Sequence, residues 1–200
     1  MGGIELTDRG LVVDRAPNRL DELAAEFSAI LSRLEIDHVF VAGYVAILAG
    51  RSRSTEDIDV FIERCSADQI DDLVTELEAE GYWGPAMPLS EMYDNLANGT
   101  NIWVAPDGEM APHVEVKFPG DEFDEASLRH AIDAHVGDET VPIGPLELQI
   151  AYKLSLGGRT DIEDAAHLYT VFGESLSTAR LELWVERLDV EDRYERLRSL

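Results

Sequence analysis

The sequence predicts an α/β chain of the α+β kind: a mixed β-sheet core flanked by helices over residues 1–144, then an all-helical region over residues 145–200. Three observations predict it. Short stretches at 58–62 and 113–118 are rich in β-branched and aromatic residues, with polar residues alternating in the second. Residues 18–34 place Leu20, Leu23, Ala24, Phe27, Ile30, Leu31 and Leu34 at helical spacing. From Pro145 onward the pattern is helical to the end, with Gly144-Pro145 as a soft boundary.

Taken in order, residues 1–15 are of mixed polarity and suit a short strand or arm. Pro17 and Asn18 give the start signal for the 18–34 helix. The apolar run 39–42 reads as a buried strand leading into Gly43, and residues 44–48 suit a short helix closed by Gly50. A strand over 58–62 follows. Ser66 is an N-cap for a helix over 67–80, and Gly81 stops it. Residues 84–99 form a Pro/Gly-interrupted connection with a short helix near 90–96. Strands over 100–104 and 113–118 flank Pro106-Asp107-Gly108, which is hairpin chemistry. Residues 123–134 read as helix and 139–143 as a short strand. Helices are then expected over about 146–156, 161–172, 178–188 and 190–199.

Charge is the unusual feature of the composition. The formal net charge is -25, from 41 acidic and 16 basic residues. Only Lys117 and Lys153 are lysine; the other basic residues are arginine. Self-repulsion on this scale destabilises a compact chain in dilute buffer, and at 1 M salt it is screened within about 3 Å. The composition therefore fits the salt-rich cytoplasm of a halophile. The same charge opposes nucleic acid at low salt. No apolar run reaches the roughly 18–20 residues of a membrane helix. The sequence as given opens with neither a signal-peptide pattern nor a myristoylation pattern, so a cytoplasmic, soluble protein is expected. The single cysteine, Cys65, excludes an internal disulfide and a cysteine-based zinc site.

The stretch that carries chemistry runs from Val41 to Val60. On a strand, Asp57 and Asp59 point to one face while Ile58 and Val60 take the other. Two carboxylates that close repel unless a cation sits between them, and hard oxygen ligands suit Mg²⁺. Gly43 lies at a strand-to-helix turn, where backbone can approach a ligand and a helix N-terminus can face phosphate. A phosphate cradle and a carboxylate pair this close together fit phosphoryl or nucleotidyl transfer.

This stretch resembles the active-site signature of the DNA polymerase β-like nucleotidyltransferase superfamily. In that family a strand ends in Gly-Gly or Gly-Ser, a short helix follows, and Asp-x-Asp lies on the next strand. Gly50, Arg53 and Thr55 running into Asp57-Ile58-Asp59 look like the small prokaryotic branch, which includes AbiEii-type and minimal toxin nucleotidyltransferases. The resemblance implies a nucleotidyltransferase fold, with Asp57, Asp59 and Glu115 as catalytic metal ligands for Mg²⁺ or Mn²⁺. It also implies a nucleoside triphosphate as substrate, a tRNA or protein hydroxyl as acceptor, and a cognate antitoxin as partner. In the helical half, Lys153 followed by Arg159-Thr160-Asp161-Ile162-Glu163-Asp164 resembles the same branch. Gly43, Tyr44, Arg53, Thr55, Lys153, Arg159 and Asp161 are thereby placed around the nucleotide, with Asp164 paired to a neighbouring basic side chain.

Blander readings stand beside these. Glu115 as a solvent-facing strand acid, Asp161 as a helix-dipole acid and Lys153 as a snorkelling surface lysine are the structural alternatives. Tyr44 stands second in the Gly-Gly or Gly-Ser pair, and Glu115 stands where Asp is commoner. Both departures keep a non-catalytic nucleotide-binding or interaction protein open, beside a small-molecule (aminoglycoside-like) nucleotidyltransferase. His38 and His113 are placed to flank the site, without zinc-ligand spacing. Trp83, Trp103 and Trp184 read as core, and Cys65 as buried structure. The charge yields a direct prediction: the melting temperature rises between dilute buffer and molar KCl, and equal stability in the two sinks the halophilic reading.

Overall fold

Capping chemistry fixes where the helices begin. Asn18 accepts from the backbone of Leu20 and Asp21 while Asp21 reaches back to the Asn18 N–H, a reciprocal box that starts the first helix. Ser66 and Gln69 repeat the device at the third helix, and Asp121 caps the fifth. The computed structural model describes residues 3–199, so Met1 and Gly2 of the expected amino-terminal strand, and Leu200, lie outside the described residues.

The elements are β1 (Ile4–Thr7), β2 (Gly10–Val13), α1 (Arg19–Arg33), β3 (His38–Phe40), α2 (Ala42–Leu48), β4 (Asp57–Ile62), α3 (Ala67–Ala79), β5 (Tyr82–Trp83), a 3₁₀ turn (Leu89–Glu91), α4 (Met92–Ala97), β6 (Ile102–Pro106), β7 (His113–Lys117), α5 (Glu122–Arg129), β8 (Ile132–Val136), β9 (Glu139–Ile143), α6 (Leu146–Leu156), α7 (Arg159–Phe172), α8 (Thr178–Arg187) and α9 (Glu191–Arg198). The strands form one mixed sheet in the order β1-β2-β8-β9-β3-β4-β7-β6-β5. Within it β3 and β4 are antiparallel, β4 and β7 parallel, and β7 and β6 antiparallel. No helix among the described residues is long and apolar enough to cross a membrane.

The strand β4 shows the period that the sequence predicts. Ile58, Val60 and Ile62 are fully buried, while Asp57, Asp59 and Phe61 are half-buried on the other face. Leu23, Phe27, Ile30 and Leu31 of α1, with Ile70, Leu73 and Leu77 of α3, belong to the same buried core. The helical stretch expected over 123–134 stops at Arg129. Residues 132–136 form β8 instead, paired with all of β9 and with β2. Alternation and the two-residue Gly137-Asp138 turn outweigh the helical reading of this stretch.

Tyr44 corrects an expectation. Its ring is fully buried and meets Phe40 edge-on at 5.9 Å, so it packs in the core and does not face a nucleotide. Its hydroxyl donates to Asp21 Oδ1 at 3.1 Å. Asp21 also accepts from the Asn18 N–H at 2.7 Å and from Arg15, so the buried carboxylate ties the capping box to α2. Burial, then the Asp21 charge, pushes the Tyr44 phenol well above its ordinary pKa. Tyr44→Phe removes one buried hydrogen bond and leaves Asp21 paired. It is expected to cost about 1–2 kcal/mol in urea unfolding while the chain stays folded.

Candidate active site

Parallel pairing of β4 with β7 sets Asp57 opposite His113 and Asp59 opposite Glu115. One carboxylate oxygen from each of Asp57, Asp59 and Glu115 lies within 4.8 Å of the others, and all three residues are half-buried. The Thr55 hydroxyl donates to Asp57 Oδ1, and the Trp103 indole N–H donates to Glu115 Oε1 at 3.3 Å. The Trp103 ring stacks on His113 with centroids 4.3 Å apart.

A lysine serves this cluster. Lys117 Nζ lies 2.7 Å from Asp59 Oδ1 and 3.3 Å from Glu115 Oε2. Burial raises the Asp59 pKa; Lys117 opposes that rise and the Glu115 charge adds to it, leaving the carboxyl above its ordinary value. Burial alone would lower Lys117, but Asp59 and then Glu115 outweigh it and hold the ammonium above its usual range. The two shifts have different leading causes: burial for Asp59, and the neighbouring carboxylates for Lys117.

A second ionic cluster sits where the helical region meets the loop before β4. Asp164 is 0% exposed and accepts from Lys153 at 2.9 Å, Arg53 at 2.6 Å and Arg51 at 3.2 Å. Lys153 is itself only 4% exposed and also lies 3.7 Å from Asp161. Burial works against ionising Asp164, but Lys153, Arg53 and Arg51 outweigh it and hold the carboxyl below its ordinary range. This is the basic partnership expected of Asp164.

The strand-to-helix turn differs from expectation. The residue with positive φ is Ala42, at 57°, and Gly43 follows it as the second residue of α2. A Cβ at Gly43 would lie 3.1 Å from the Arg53 guanidinium, so a side chain there would ask that flexible head to shift by a few tenths of an ångström. The Ala42 N–H donates to Gln149 Oε1 at 3.0 Å, so this amide is already engaged by α6. The Gln149 amide lies across Gly144, where a Cβ would sit 2.5 Å from its nitrogen.

The two clusters share a cavity of about 260 Å³, lined by Ala42, Asp59, Lys117, Gln149, Lys153 and Asp161 among others. Lys117, Phe61, Asp124 and Tyr152 also line an adjoining cleft of about 800 Å³. Of the residues expected at the site, Asp57, Asp59 and Glu115 converge, and Gly43, Arg53, Lys153 and Asp161 surround the second cluster. Thr55 stands beside the carboxylates as a donor to Asp57, and Arg53 is turned to Asp164. Arg159 is not brought in. Its side chain is 92% exposed and pairs with Glu163 one helical turn on, where solvation of the guanidinium is cheapest. His113 flanks Asp57, whereas His38 bonds to Ser28 Oγ at 2.7 Å at the far end of β3. Sequence reasoning missed Lys117 and Trp103. Lys117 shares the face of Glu115 by strand alternation, and that alternation was the available signal. Trp103 needed the β6–β7 register, Trp103 against Glu115.

No known protein-family model matches the chain, and no curated protein sequence matches it. Solved structures do resemble it. An antigenic nucleotidyltransferase-like protein from Paracoccidioides brasiliensis superposes with a TM-score of 0.57 at 18% identity, over 92% of this chain and 94% of that one. The solution structure of the antibiotic-resistance factor ANT(2'')-Ia gives 0.51 at 14% identity, over 89% of this chain and 94% of that one. The mixed α/β architecture is therefore similar to that of nucleotidyltransferase-like proteins.

The buried ionic hub has a measurable consequence. Asp164→Ala leaves Lys153, Arg53 and Arg51 without their shared acceptor, and breaking a buried pair of this kind costs about 3–5 kcal/mol. A drop of that size is expected in denaturant unfolding.

Proposed function

We propose that the chain is a divalent-metal-dependent nucleotidyltransferase that moves a nucleoside monophosphate from a nucleoside triphosphate to an acceptor hydroxyl and releases pyrophosphate. The observation that carries this reading is the convergence of Asp57, Asp59 and Glu115 beside Lys117 and Lys153 on a fold similar to nucleotidyltransferase-like structures. The carboxylates fit Mg²⁺ or Mn²⁺. They are hard oxygen donors, and ligands about 2.1 Å from a shared ion lie within about 4.2 Å of each other. The oxygens, all within 4.8 Å, need only small side-chain rotations to reach that span. When bound, the metal supplies charge neutralisation for the triphosphate and a Lewis acid for the attacking hydroxyl.

The chain's own side chains have separable roles. Thr55 holds Asp57 and the Trp103 indole holds Glu115, which limits the rotamers of both carboxylates. Lys153 brings a compact cation to the cavity wall, a form of charge that suits phosphate oxygens. Arg53 lies beside the first turn of α2, with its guanidinium paired to Asp164. The adjoining cleft, with Phe61, Tyr152 and Asp124, offers room for the acceptor.

In keeping with the family resemblance, the acceptor is assigned as a tRNA or protein hydroxyl, with a cognate antitoxin as a partner. A second reading makes the acceptor a cationic small molecule of the aminoglycoside kind. The net charge of -25 favours it, as does the likeness to an antibiotic-resistance factor. The test is incubation with α-labelled triphosphates and Mg²⁺, offering tRNA, a protein extract or an aminoglycoside in parallel. Label is expected to pass to one acceptor class. Asp57→Ala should reduce transfer by more than the 10–100-fold typical of losing an outer-shell partner. Triphosphate binding without transfer to any acceptor overturns the enzymatic reading and leaves a binding protein.

A further inference from the structure

Lys117 is two residues along β7 from Glu115 and lies on the same face of the strand. Its Cα pairs with Phe61, one position beyond Asp59 on that face of β4. The ammonium is 2.7 Å from Asp59 Oδ1 and 3.3 Å from Glu115 Oε2. It thus bonds two of the three carboxylates that the proposed function assigns to the metal. The side chain is one-third exposed and lines both the cavity and the adjoining cleft, so it has space to leave the carboxylates. A lysine is a point charge on a four-carbon stem, and its head moves without any shift of the strand.

We propose that Lys117 is a tethered counter-ion that competes with the divalent ion for Asp59 and Glu115 and passes to the triphosphate when the metal enters. The inference rests on the metal-dependent reading of the site and adds a coupling to it. Metal alone displaces the ammonium into the cavity, where Asp124 is the carboxylate that shares its lining. Metal arriving with a triphosphate offers the displaced ammonium phosphate oxygens, so the two load cooperatively. Lys117 is in this sense a positioning residue: it keeps the carboxylates together before loading and makes metal binding depend on nucleotide.

The composition makes the test unusually clean, because Lys117 and Lys153 are the only lysines in the chain. Full-length protein carrying ¹³C at the lysine ε-carbon gives two side-chain signals, and Lys117→Arg identifies one by deleting it. Titration with Mg²⁺, alone and with a non-hydrolysable triphosphate analogue, is expected to move the Lys117 signal with the same midpoint as metal binding. In parallel, Lys117→Met is expected to bind Mn²⁺ without nucleotide roughly tenfold more tightly than wild type, as one charge-assisted competitor is removed. Lys117→Arg, which keeps the charge, should stay near wild type. A Lys117 signal that stays still while Asp59-dependent metal binding saturates overturns the competition and leaves the function standing. Equal Mn²⁺ affinity in wild type and Lys117→Met does the same. Absence of metal binding in every protein, with and without nucleotide, removes the functional reading and this inference together. The lysine spectrum of the wild-type protein decides the matter even if Lys117→Met fails to fold.

Discussion

Two carboxylates facing each other across a parallel strand pair are a liability unless a cation lies between them, and the Asp59–Glu115 pair imposes that condition on this fold. The register is set by the apolar faces of β4 and β7, since Ile58, Val60, Val114 and Val116 are all fully buried. A one-residue slip would turn every acid inward and every apolar side chain outward. The core therefore fixes the position of the charges, and the charges then demand compensation. Lys117 supplies part of it from within the same strand.

A chain with 41 acidic residues and two lysines might be expected to scatter its basic groups as surface partners. Both lysines instead line one cavity, each against a carboxylate cluster. Arginine takes the surface pairs, such as Arg33–Glu80 and Arg198–Glu195. Exposed pairs of that kind contribute little and weaken further with salt, while partly buried ones are screened much less. In molar salt the ionic contacts least screened are those with a buried acid: the Asp164 hub, Arg15–Asp21 and Arg180–Glu147, with the partly buried Lys117 pairs next. A strongly acidic surface and a site whose ion pairs resist screening are compatible only if the site is shielded, as Asp164 and Lys153 are.

Most of the element order was legible in the sequence because its apolar periods are strong. The four carboxy-terminal helices and β4 follow directly from spacing and caps. The failure at residues 130–134 is physical: the helical reading runs on past Arg129, and only pairing with β9 and β2 decides for a strand. At the site, the acids were legible because strand alternation puts Asp57 and Asp59 on one face. Tyr44 was misplaced because adjacency to Gly43 says nothing about which way a helical side chain turns. Its partner Asp21 lies 23 residues earlier in the chain. Arg159 was misplaced for the same reason, since motif spacing does not reveal that its side chain faces solvent.

Charge bookkeeping across the cavity gives the two clusters different characters. Asp57, Asp59 and Glu115 against Lys117 leave a formal excess of two negative charges, which matches the charge of one divalent ion. Asp161, Glu163 and Asp164 against Lys153, Arg51 and Arg53 balance to no net charge. A polyanion approaching the three carboxylates is repelled until a divalent ion offsets their excess charge, whereas the balanced cluster does not oppose it. On the proposed function, the site would take a polyphosphate together with its metal more readily than the polyphosphate alone. That preference would follow from the strand register that gathers the three carboxylates, before any specific contact to a base or sugar is considered.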